Sequence, residues 1–444
     1  MEPHEALQIR AVRQNAALVT DARQEYEPLM KAIGDCHFAL LGEASHGTHD
    51  FYHTRANITQ WLIEEKGYTA VAVEADWPDA YRVNRFVRGR SDDADAIEAL
   101  DSFKRFPPWM WRNTDVVEFI SWLREYNDAL PDNRKVGFYG LDLYSLHASA
   151  RAVLEFLDKV DPEAAQRARY RYACFEHFGE DTQAYGYATS FGLSKDCEDE
   201  VVSQLVEMQK RAADLVKRDG PLDPEAFFAA EQNARVVANA ERYYRAMFKS
   251  RAGSWNLRDR HMVDTLEEIA GHLREGPARV IVWAHNSHLG DARATQMSAS
   301  GELNVGQLVR QRHDDDAMLV GFTTYTGTVT AASNWDAPAE RKLVRPALTG
   351  SYESLFHETG VPGFMLVLRD AKWLSGVLNQ DRLERAIGVI YLPESERISH
   401  YFNARLADQF DAMIHLDQTR AVEPLERTAK WEAGEFPETY PFAV

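Results

Sequence analysis

Cysteine is scarce in this sequence and forms no motif. Only Cys36, Cys174 and Cys197 occur among 444 residues, and no two of them make a CxxC pair. This spacing excludes a cysteine-based zinc site and a thioredoxin-type redox motif. Because the number is odd and the positions are far apart, we predict structural or bystander thiols in a reducing, cytoplasmic environment.

Excess positive charge and long apolar runs are also missing. The chain has 69 Asp and Glu against 50 Lys and Arg, a formal net charge of -19, without a basic stripe to hold a phosphate backbone. No window approaches the run of about 18 apolar residues that a membrane span needs, and the N-terminal segment lacks the apolar region of a secretory signal. We therefore expect no nucleic-acid partner and no membrane attachment, while no pattern selects an oligomeric state.

Three common catalytic motifs are absent. A GxSxG elbow, an HExxH pair and a GxGxxG turn after a strand do not occur, which disfavours a serine α/β-hydrolase, a zincin and a dinucleotide-binding protein. The glycines of GEASHG, residues 42–47, have the spacing of a phosphate loop, but Thr48 stands where the lysine belongs. We expect no organic cofactor.

What the sequence does have is a recurring unit of short apolar run followed by helical periodicity. The runs are 37–43, 69–76, 136–142, 280–285, 318–327, 364–370, 387–392 and 413–416. Near-continuous apolar runs are typical of strands buried on both faces of a parallel sheet. Between the first two, Asp50 to Lys66 has a helical pattern that stops at Gly67. We predict an α/β fold with a mostly parallel central sheet flanked by helices.

The stretch from about 151 to 275 has long helical patterns and no convincing strand. It is interpreted as a helical insertion beside or over the sheet. The predicted organisation is an N-terminal helical segment (1–35), a first α/β part that carries the site motif (36–150), the insertion (151–275) and a second α/β part (276–444).

Ionisable residues close the first four runs. They are Glu43, Glu74, Asp142 and His285. Ligands of open α/β sheets bind at the carboxyl ends of the strands, so four such residues favour a site there. Any one of them could instead cap a helix or anchor a loop.

His46 lies three residues beyond Glu43, between Gly42 and Gly47. A carboxylate partner would fix its tautomer and stabilise the imidazolium, as a general base requires. The glycines are predicted to let the backbone turn sharply and to leave the imidazole accessible. A lone histidine is more often structural, but this combination favours catalysis.

A metal site is an alternative interpretation of the same region. His46, His49 and His53 have the spacing of one helical face, and acids and histidines at other strand ends could join them around a divalent ion. The further candidate ligands are Glu43, Glu74, His285 and His288. Arg55 could bind an oxyanion or pair with an acid. Aromatic residues near strand ends (Trp77, 107–111, Trp255, Trp283 and Trp335) would suit a roomy apolar pocket.

Long blocks of the sequence resemble the erythromycin esterase family. They begin with LLGEASHGTHDFYHTR and AVAVEADWPDAYRVNRFVRG and continue through PPWMW, GFYGLDLYS, SWNLRDRHM, VWAHNSHLGD, GSYESLFHE and ERISHYFNARLADQFDAMIHLDQTR, from about 35 to 425. The resemblance implies hydrolysis of a macrolide lactone ester by an activated water, without a covalent intermediate. The expected substrate is a small-molecule ester or lactone.

The resemblance also implies roles for the strand-end residues. His46 would be the general base, Glu43 and Glu74 would orient it or the water, and His285 would assist and stabilise the developing oxyanion. Three further residues are predicted to bind substrate: Arg55, His288 and Asp142. The alternatives are a metal-dependent hydrolase with the same residues as ligands, and a relative that binds a small molecule without turnover.

Overall fold

The computed structural model describes residues 3–20, 22–215, 223–273 and 278–434. The strands are β1 Ala17–Leu18, β2 Phe38–Leu41, β3 Ala70–Asp76, β4 Gly137–Asp142, β5 Val280–Trp283, β6 Ala317–Ala331, β7 Glu340–Val344, β8 Gly363–Val367, β9 Arg382–Arg385, β10 Tyr401–Ala404 and β11 Ala412–Thr419. The helices are α1 Pro3–Asn15, α2 Glu27–Ile33, α3 His49–Lys66, α4 Trp77–Val87, α5 Ala96–Ala99, α6 Thr114–Asp128, α7 Leu146–Val160, α8 Pro162–Tyr172, α9 Thr182–Ser190, α10 Glu198–Leu215, α11 Pro224–Met247, α12 Arg251–His272, α13 Asn286–Leu289, α14 Val305–His313, α15 Tyr352–His357, α16 Lys372–Leu378, α17 Glu396–Ser399, α18 Leu406–Gln409 and α19 Ala429–Ala433.

Nine strands form one central sheet. Its order is β1-β8-β11-β6-β2-β5-β3-β4, and β7 pairs with the far end of β6. The six strands from β11 to β4 run parallel, whereas β8, β1 and β7 are antiparallel to their neighbours. The prediction of a mostly parallel sheet flanked by helices is confirmed.

The apolar runs form strands because each has a hydrophobic layer on both sides. Successive side chains of a strand point to opposite faces. In β2, Leu41 packs into the layer that contains Phe51 and Ile58 of α3, and Leu40 packs into the layer that contains Met262 of α12. Leu41 is aligned with Trp283 of β5, which places the ends of these two strands side by side.

The predicted helix between β2 and β3 is confirmed as α3. It ends at Gly67, which adopts a left-handed conformation with φ of 69°. Glycine occupies this capping position without the steric cost of a Cβ atom. The connection back to the sheet is short, since β3 begins three residues after Gly67.

The predicted strand at 387–392 is wrong. This run makes only isolated bridges, from Ile387 to Ser45 and from Ile390 to Ala332. Ile387 and Tyr391 are buried because they pack in a small cluster against Val329 of β6 and Val344 of β7, whereas Val389, Ile390 and Leu392 are only partly buried. The apolar pattern therefore indicated the burial of two side chains but not whether the backbone pairs as a strand.

The sequence analysis did not predict four of the described strands, which are β1, β7, β9 and β10. β7 and β9 have the sequences ERKLV and RLER, in which charged residues break the apolar pattern, and β10 is half exposed. β9 and β10 form a two-stranded sheet of their own. The fourth, β1, is two residues long. Several of these charges are buried and engaged by partners: Lys342 donates to the carbonyl of Tyr391, and Arg385 pairs with Glu396.

Between β4 and β5 the described residues hold α7 to α12 and no strand. Cys174 and Cys197 form a disulfide in this segment, with Cα atoms 6.0 Å apart. The prediction of unpaired thiols is therefore wrong for these two, because folding brings together positions 23 residues apart; Cys36 is free and buried. Among the described helices none is long and apolar enough to cross a membrane.

Candidate active site

Four adjacent strands, β2, β5, β3 and β4, deliver polar residues to one edge of the sheet. Glu43 and His285 each lie two residues beyond a strand, Asp142 ends β4, and Glu74 lies within β3. All four are at least 95% buried. Glu74 does not close its strand as predicted, because β3 continues through a bulge to Asp76, opposite Asp142. The structure thus brings the four predicted strand-end residues together.

His46 and Glu43 form a buried pair. The Nδ1 atom of His46 lies 2.9 Å from Oε1 of Glu43, and Nη2 of Arg55 lies 2.6 Å from the other oxygen, Oε2. The guanidinium of Arg55 is itself packed between the rings of Tyr52 and Trp283, 4.6 and 5.0 Å from their centres. Such packing fixes Arg55, which in turn holds the carboxylate and the histidine in one orientation.

The glycines beside His46 have a different role from the one predicted. Neither Gly42 nor Gly47 has positive φ. A Cβ atom at Gly47 would lie 1.8 Å from the carbonyl oxygen of Thr330, and one at Gly42 would lie 2.2 Å from Oδ1 of Asn286. These positions need glycine because the loop is pressed against β6 and α13, not because the chain turns sharply.

His285 stands beside His46, with ring centres 4.8 Å apart. Burial, reinforced by the proximity of His46, lowers the pKa of His285 to about 3, so this imidazole is neutral at physiological pH. Its Nδ1 accepts a hydrogen bond from the Ser287 backbone N–H at 3.2 Å. We assign the proton to Nε2, which has no well-formed hydrogen bond among the described residues.

Glu74 is surrounded by donors. Its Oε2 accepts from the backbone N–H of His285 at 2.9 Å, and its Oε1 accepts from Nη2 of Arg258 at 2.7 Å. Nε2 of His288 lies 3.3 Å from Oε1. Burial alone would raise the pKa of Glu74, but the charges of His288 and Arg258 hold it well below its usual value.

Further contacts with Asp259, Trp255 and Asp142 hold His288 and Arg258 in place. Nδ1 of His288 lies 2.9 Å from both carboxylate oxygens of Asp259, and its ring stacks on Trp255 at 4.5 Å. Burial opposes the charged form, yet Asp259 and Glu74 outweigh it and raise the pKa of His288 to about 9. Arg258 also binds both oxygens of Asp142, at 3.0 and 2.6 Å.

A cavity of about 210 Å³ opens at these strand ends. Its charged and histidine lining consists of His46, Glu74, Asp76, Asp79, Arg105, Asp142 and Arg258. Its aromatic and apolar lining includes Phe103, Phe106, Met110, Trp111, Tyr144 and Trp335. The exposed Trp335 meets Phe106 with ring centres 5.0 Å apart. Of the predicted aromatic residues, Trp111 and Trp335 line the cavity, whereas Trp77 and Trp283 belong to the core.

Two predicted substrate-binding residues lie behind the cavity wall. Arg55 and His288 are buried and are absent from the lining, as is His285. Their contacts with Glu43 and Glu74 favour a positioning role, and direct contact with substrate stays a prediction. Asp142 does line the cavity, with both oxygens bound to Arg258.

The three histidines of the metal alternative do not converge. His46 pairs with Glu43, while Nδ1 of His49 lies 2.8 Å from Asp115, an interaction that raises the pKa of His49. His53 contacts Asn57 through Nε2. In the ranges that the structure describes, no group of three or more histidines, cysteines or acids is arranged to hold a metal ion.

Sequence reasoning missed several residues of this edge. Arg258 and Asp259 come from α12, inside the segment interpreted as an insertion, where charged residues are ordinary. Arg105 reaches Asp76 at 2.7 Å from an irregular loop. Only Asp76 had a usable signal, because it is the last residue of the apolar run at 69–76; it lines the cavity together with Glu74, although a bulge interrupts the alternation of β3.

This arrangement defines an α/β protein with a buried histidine–carboxylate centre at the strand ends. The sequence model of the family described as Erythromycin esterase matches residues 63–419. The chain belongs to the erythromycin esterase family. The match begins after Glu43 and His46, so those two residues are supported by their pattern and geometry instead.

Relatives and solved structures extend the comparison. The chain is 23% identical to an erythromycin esterase type II of Escherichia coli, over 91% of this chain and 94% of that protein. It is 22% identical to the putative hydrolase YbfO of Bacillus subtilis (strain 168), over 88% and 85%.

Two solved structures share the fold. A succinoglycan biosynthesis protein has a TM-score of 0.75 at 19% identity, covering 95% of this chain and 99% of that one. A histidine-to-asparagine mutant of an erythromycin esterase in its open conformation has a TM-score of 0.66 at 16% identity, covering 90% and 94%.

Proposed function

We propose that this chain is an esterase-like hydrolase in which His46 removes a proton from water for attack on an ester or lactone carbonyl. The observation that carries the proposal is the Glu43–His46 pair at the cavity wall. Because Nδ1 faces Glu43, Nε2 of His46 is left to accept a proton. Family membership supports the class of reaction, since named relatives are erythromycin esterases.

The proposed reaction proceeds without a covalent enzyme intermediate. The water oxygen bonds to the carbonyl carbon while its proton moves to Nε2 of His46. The resulting imidazolium is stabilised by Glu43, which Arg55 holds in place. When the tetrahedral intermediate collapses, the ester C–O bond breaks and the leaving alkoxide takes the proton back, giving a carboxylic acid and an alcohol.

Charge on the intermediate would be met by neutral and cationic donors. His285 does not line the cavity but stands directly beside His46. It is neutral because its pKa is about 3, and it would donate through Nε2–H to an oxyanion that forms against the His46 ring. Arg258 lines the cavity and adds positive potential. Glu74 and Asp142 would hold Arg258 in place, because their carboxylates are already bound to it.

The cavity favours a small ester, or the ester edge of a larger ring that stays outside. Its volume of about 210 Å³ is below the roughly 300–1,000 Å³ of drug-sized ligand pockets. The aromatic rim of Phe106 and Trp335 would contact the apolar part of such a substrate. The macrolactone of erythromycin-type antibiotics remains a candidate on the strength of the named relatives.

A hydrolysis screen across macrolides and simple aryl esters tests the proposal. We expect a product whose mass increases by one water, with label from isotopically enriched water in the new carboxylate. A burst of alcohol release followed by slow turnover would indicate a covalent intermediate and contradict the mechanism. Activity that vanishes with EDTA and returns with one divalent ion would favour the metal-dependent alternative. Ligand binding without hydrolysis of any ester would identify a binding protein.

A further inference from the structure

A second cavity, of about 710 Å³, lies between α4, α7 and the N-terminal half of α11. It shares no lining residue with the cavity at the strand ends. Six cationic side chains line it: Arg82, Arg85, Arg88, Arg90, Arg151 and Lys159. Among the described residues, three acids do so: Glu155, Asp223 and Glu225. In a chain with a formal net charge of -19 this local excess of cations is a marked reversal.

Glu225 offsets the charge of Arg88 and serves as an internal junction, so that the excess comes from the other cations. Its carboxylate accepts from Arg88 at 2.9 Å, from Asn84 at 3.1 Å and from the hydroxyl of Tyr139 at 3.2 Å. His272 lies 3.1 Å away on the other side. Although burial would raise it, these partners lower the pKa of Glu225 to about 2. The glutamate thus organises the floor of the cavity as a fixed anion.

Three of the six cations form ion pairs with acids inside or beside the cavity, Arg82 with Asp93, Arg88 with Glu225 and Arg90 with Asp223. The other three are only weakly engaged. Arg85 donates to the backbone carbonyl of Arg90 and has no carboxylate partner among the described residues. Lys159 is exposed and has no ion pair in that part of the chain. Arg151 pairs with Glu180 on the open surface, where such a pair contributes little. These side chains are free to turn toward an anion in the cavity.

Two buried polar atoms of the lining lack a partner. Nε of Arg88 and Oδ1 of Asn233 have no hydrogen bond among the described residues, although both side chains are at least 90% buried. Unsatisfied buried groups are uncommon in folded proteins and call for an explanation. One is a donor and the other an acceptor, so a single ligand with an anionic oxygen and an N–H or O–H group would satisfy both.

We infer that this cavity binds a small organic phosphate, a phosphate monoester whose organic part carries a hydroxyl or amino donor. The phosphate would lie among Arg85, Arg88 and Lys159, because guanidinium groups match phosphate oxygens in pairs. The organic part would contact the apolar lining, including Phe156 and Ala152, with its donor facing Asn233. The site is independent of the proposed hydrolase reaction.

Calorimetry with defined probes tests this inference. The probes are a nucleoside monophosphate, a hexose phosphate and a glycerol phosphate, each paired with its dephosphorylated counterpart, together with inorganic phosphate. We expect at least one ester to bind saturably at a single site, about ten-fold or more tighter than its counterpart and than inorganic phosphate. Absence of binding by every ester at millimolar concentration would overturn the inference. Equal affinity for inorganic phosphate would show a general anion site and overturn it too.

Variants locate the binding. Arg85→Gln combined with Lys159→Gln should weaken the bound ester about ten-fold, while the charge-matched surface control, Arg134→Gln with Lys249→Gln, should change it less than about two-fold. Equal losses in the two would assign the effect to net charge and contradict the site. Asn233→Leu should weaken the ester but leave inorganic phosphate unaffected.

His46→Asn should leave ester binding unchanged, since it alters the other cavity. Loss of phosphate-ester binding in this variant would place the ligand at the strand ends and overturn the assignment.

Discussion

A histidine–carboxylate pair lies near each end of strand β2. The two pairs have similar N–O distances but differ in how far they are exposed to solvent. At the amino end, Nδ1 of His37 lies 2.8 Å from Asp316, and the side chains are 35% and 43% exposed. At the carboxyl end, Nδ1 of His46 lies 2.9 Å from Glu43, and the side chains are 9% and 1% exposed.

The comparison indicates that a histidine–carboxylate pair alone does not provide the features on which the proposed catalytic role of His46 depends. Burial strengthens the interaction at His46 because water no longer screens it. A buried arginine engages the second oxygen of Glu43, and a cavity opens beside the imidazole. At His37 the pair is half exposed and lines none of the cavities described above.

The largest expected difference between the two ends is in turnover. His46→Asn should lower kcat for any confirmed ester by about 10²–10⁴-fold, as expected for loss of a general base. His37→Asn should change kcat less than about two-fold, because a half-exposed surface pair contributes little. Steady-state kinetics on folded protein, checked by circular dichroism, gives both values. Wild-type turnover in His46→Asn would show that His46 is not the base.

The next difference is in stability. Glu43→Gln would leave the buried Arg55 without its carboxylate and should lower the free energy of unfolding by about 3–5 kcal/mol. Asp316→Asn should lower it by less than about 1 kcal/mol. Urea unfolding of the two variants makes the comparison. Equal effects would mean that burial does not separate the pairs as argued.

Alkaline pH should lower the free energy of unfolding through His288, which is buried at the carboxyl ends of the strands. The folded-state pKa of His288 is raised from 6.5 to about 9, so its stabilising effect is complete below about pH 6.5 and is lost as pH rises through 9. The loss should reach at most about 3 kcal/mol. Unfolding measured from pH 6 to 10 should show this limb in wild type and in His37→Asn. It should be smaller in His288→Gln, and an unchanged limb there would assign it to another group.

The smallest effect concerns the surface pair itself. A double-mutant cycle with His37→Asn and Asp316→Asn should give a coupling energy below about 1 kcal/mol that decreases with added salt. A larger, salt-insensitive coupling would show that the amino-end pair is effectively buried.

The sequence predicted the part of the site that belongs to strand ends. Glu43, Asp142 and His285 follow apolar runs, and parallel strands bring such positions to one edge. His46 was accessible to the same reasoning because it follows Glu43 by three residues. The central strands were equally predictable, since both of their faces are buried.

Site residues that come from helices and loops could not be predicted in this way, because no apolar strand run marks their positions. Arg258 and Asp259 lie in a helix whose charges look like an ordinary solvated face, and their role depends on how α12 packs against β4. The run at 387–392 shows the converse, since its apolar pattern indicated the burial of two side chains but not whether backbone groups find a strand partner. The disulfide depends on a fold that spacing does not reveal.

The position of β5 has a consequence for how the chain folds during synthesis. This strand is inserted between β2 and β3, although the whole helical segment from α7 to α12 is translated before it. Until it emerges from the ribosome, β2 and β3 expose unpaired backbone edges, and His46 lacks His285. Sheet completion is thus governed by contacts distant in sequence, which predicts slow folding and aggregation of nascent chains that end before Val280.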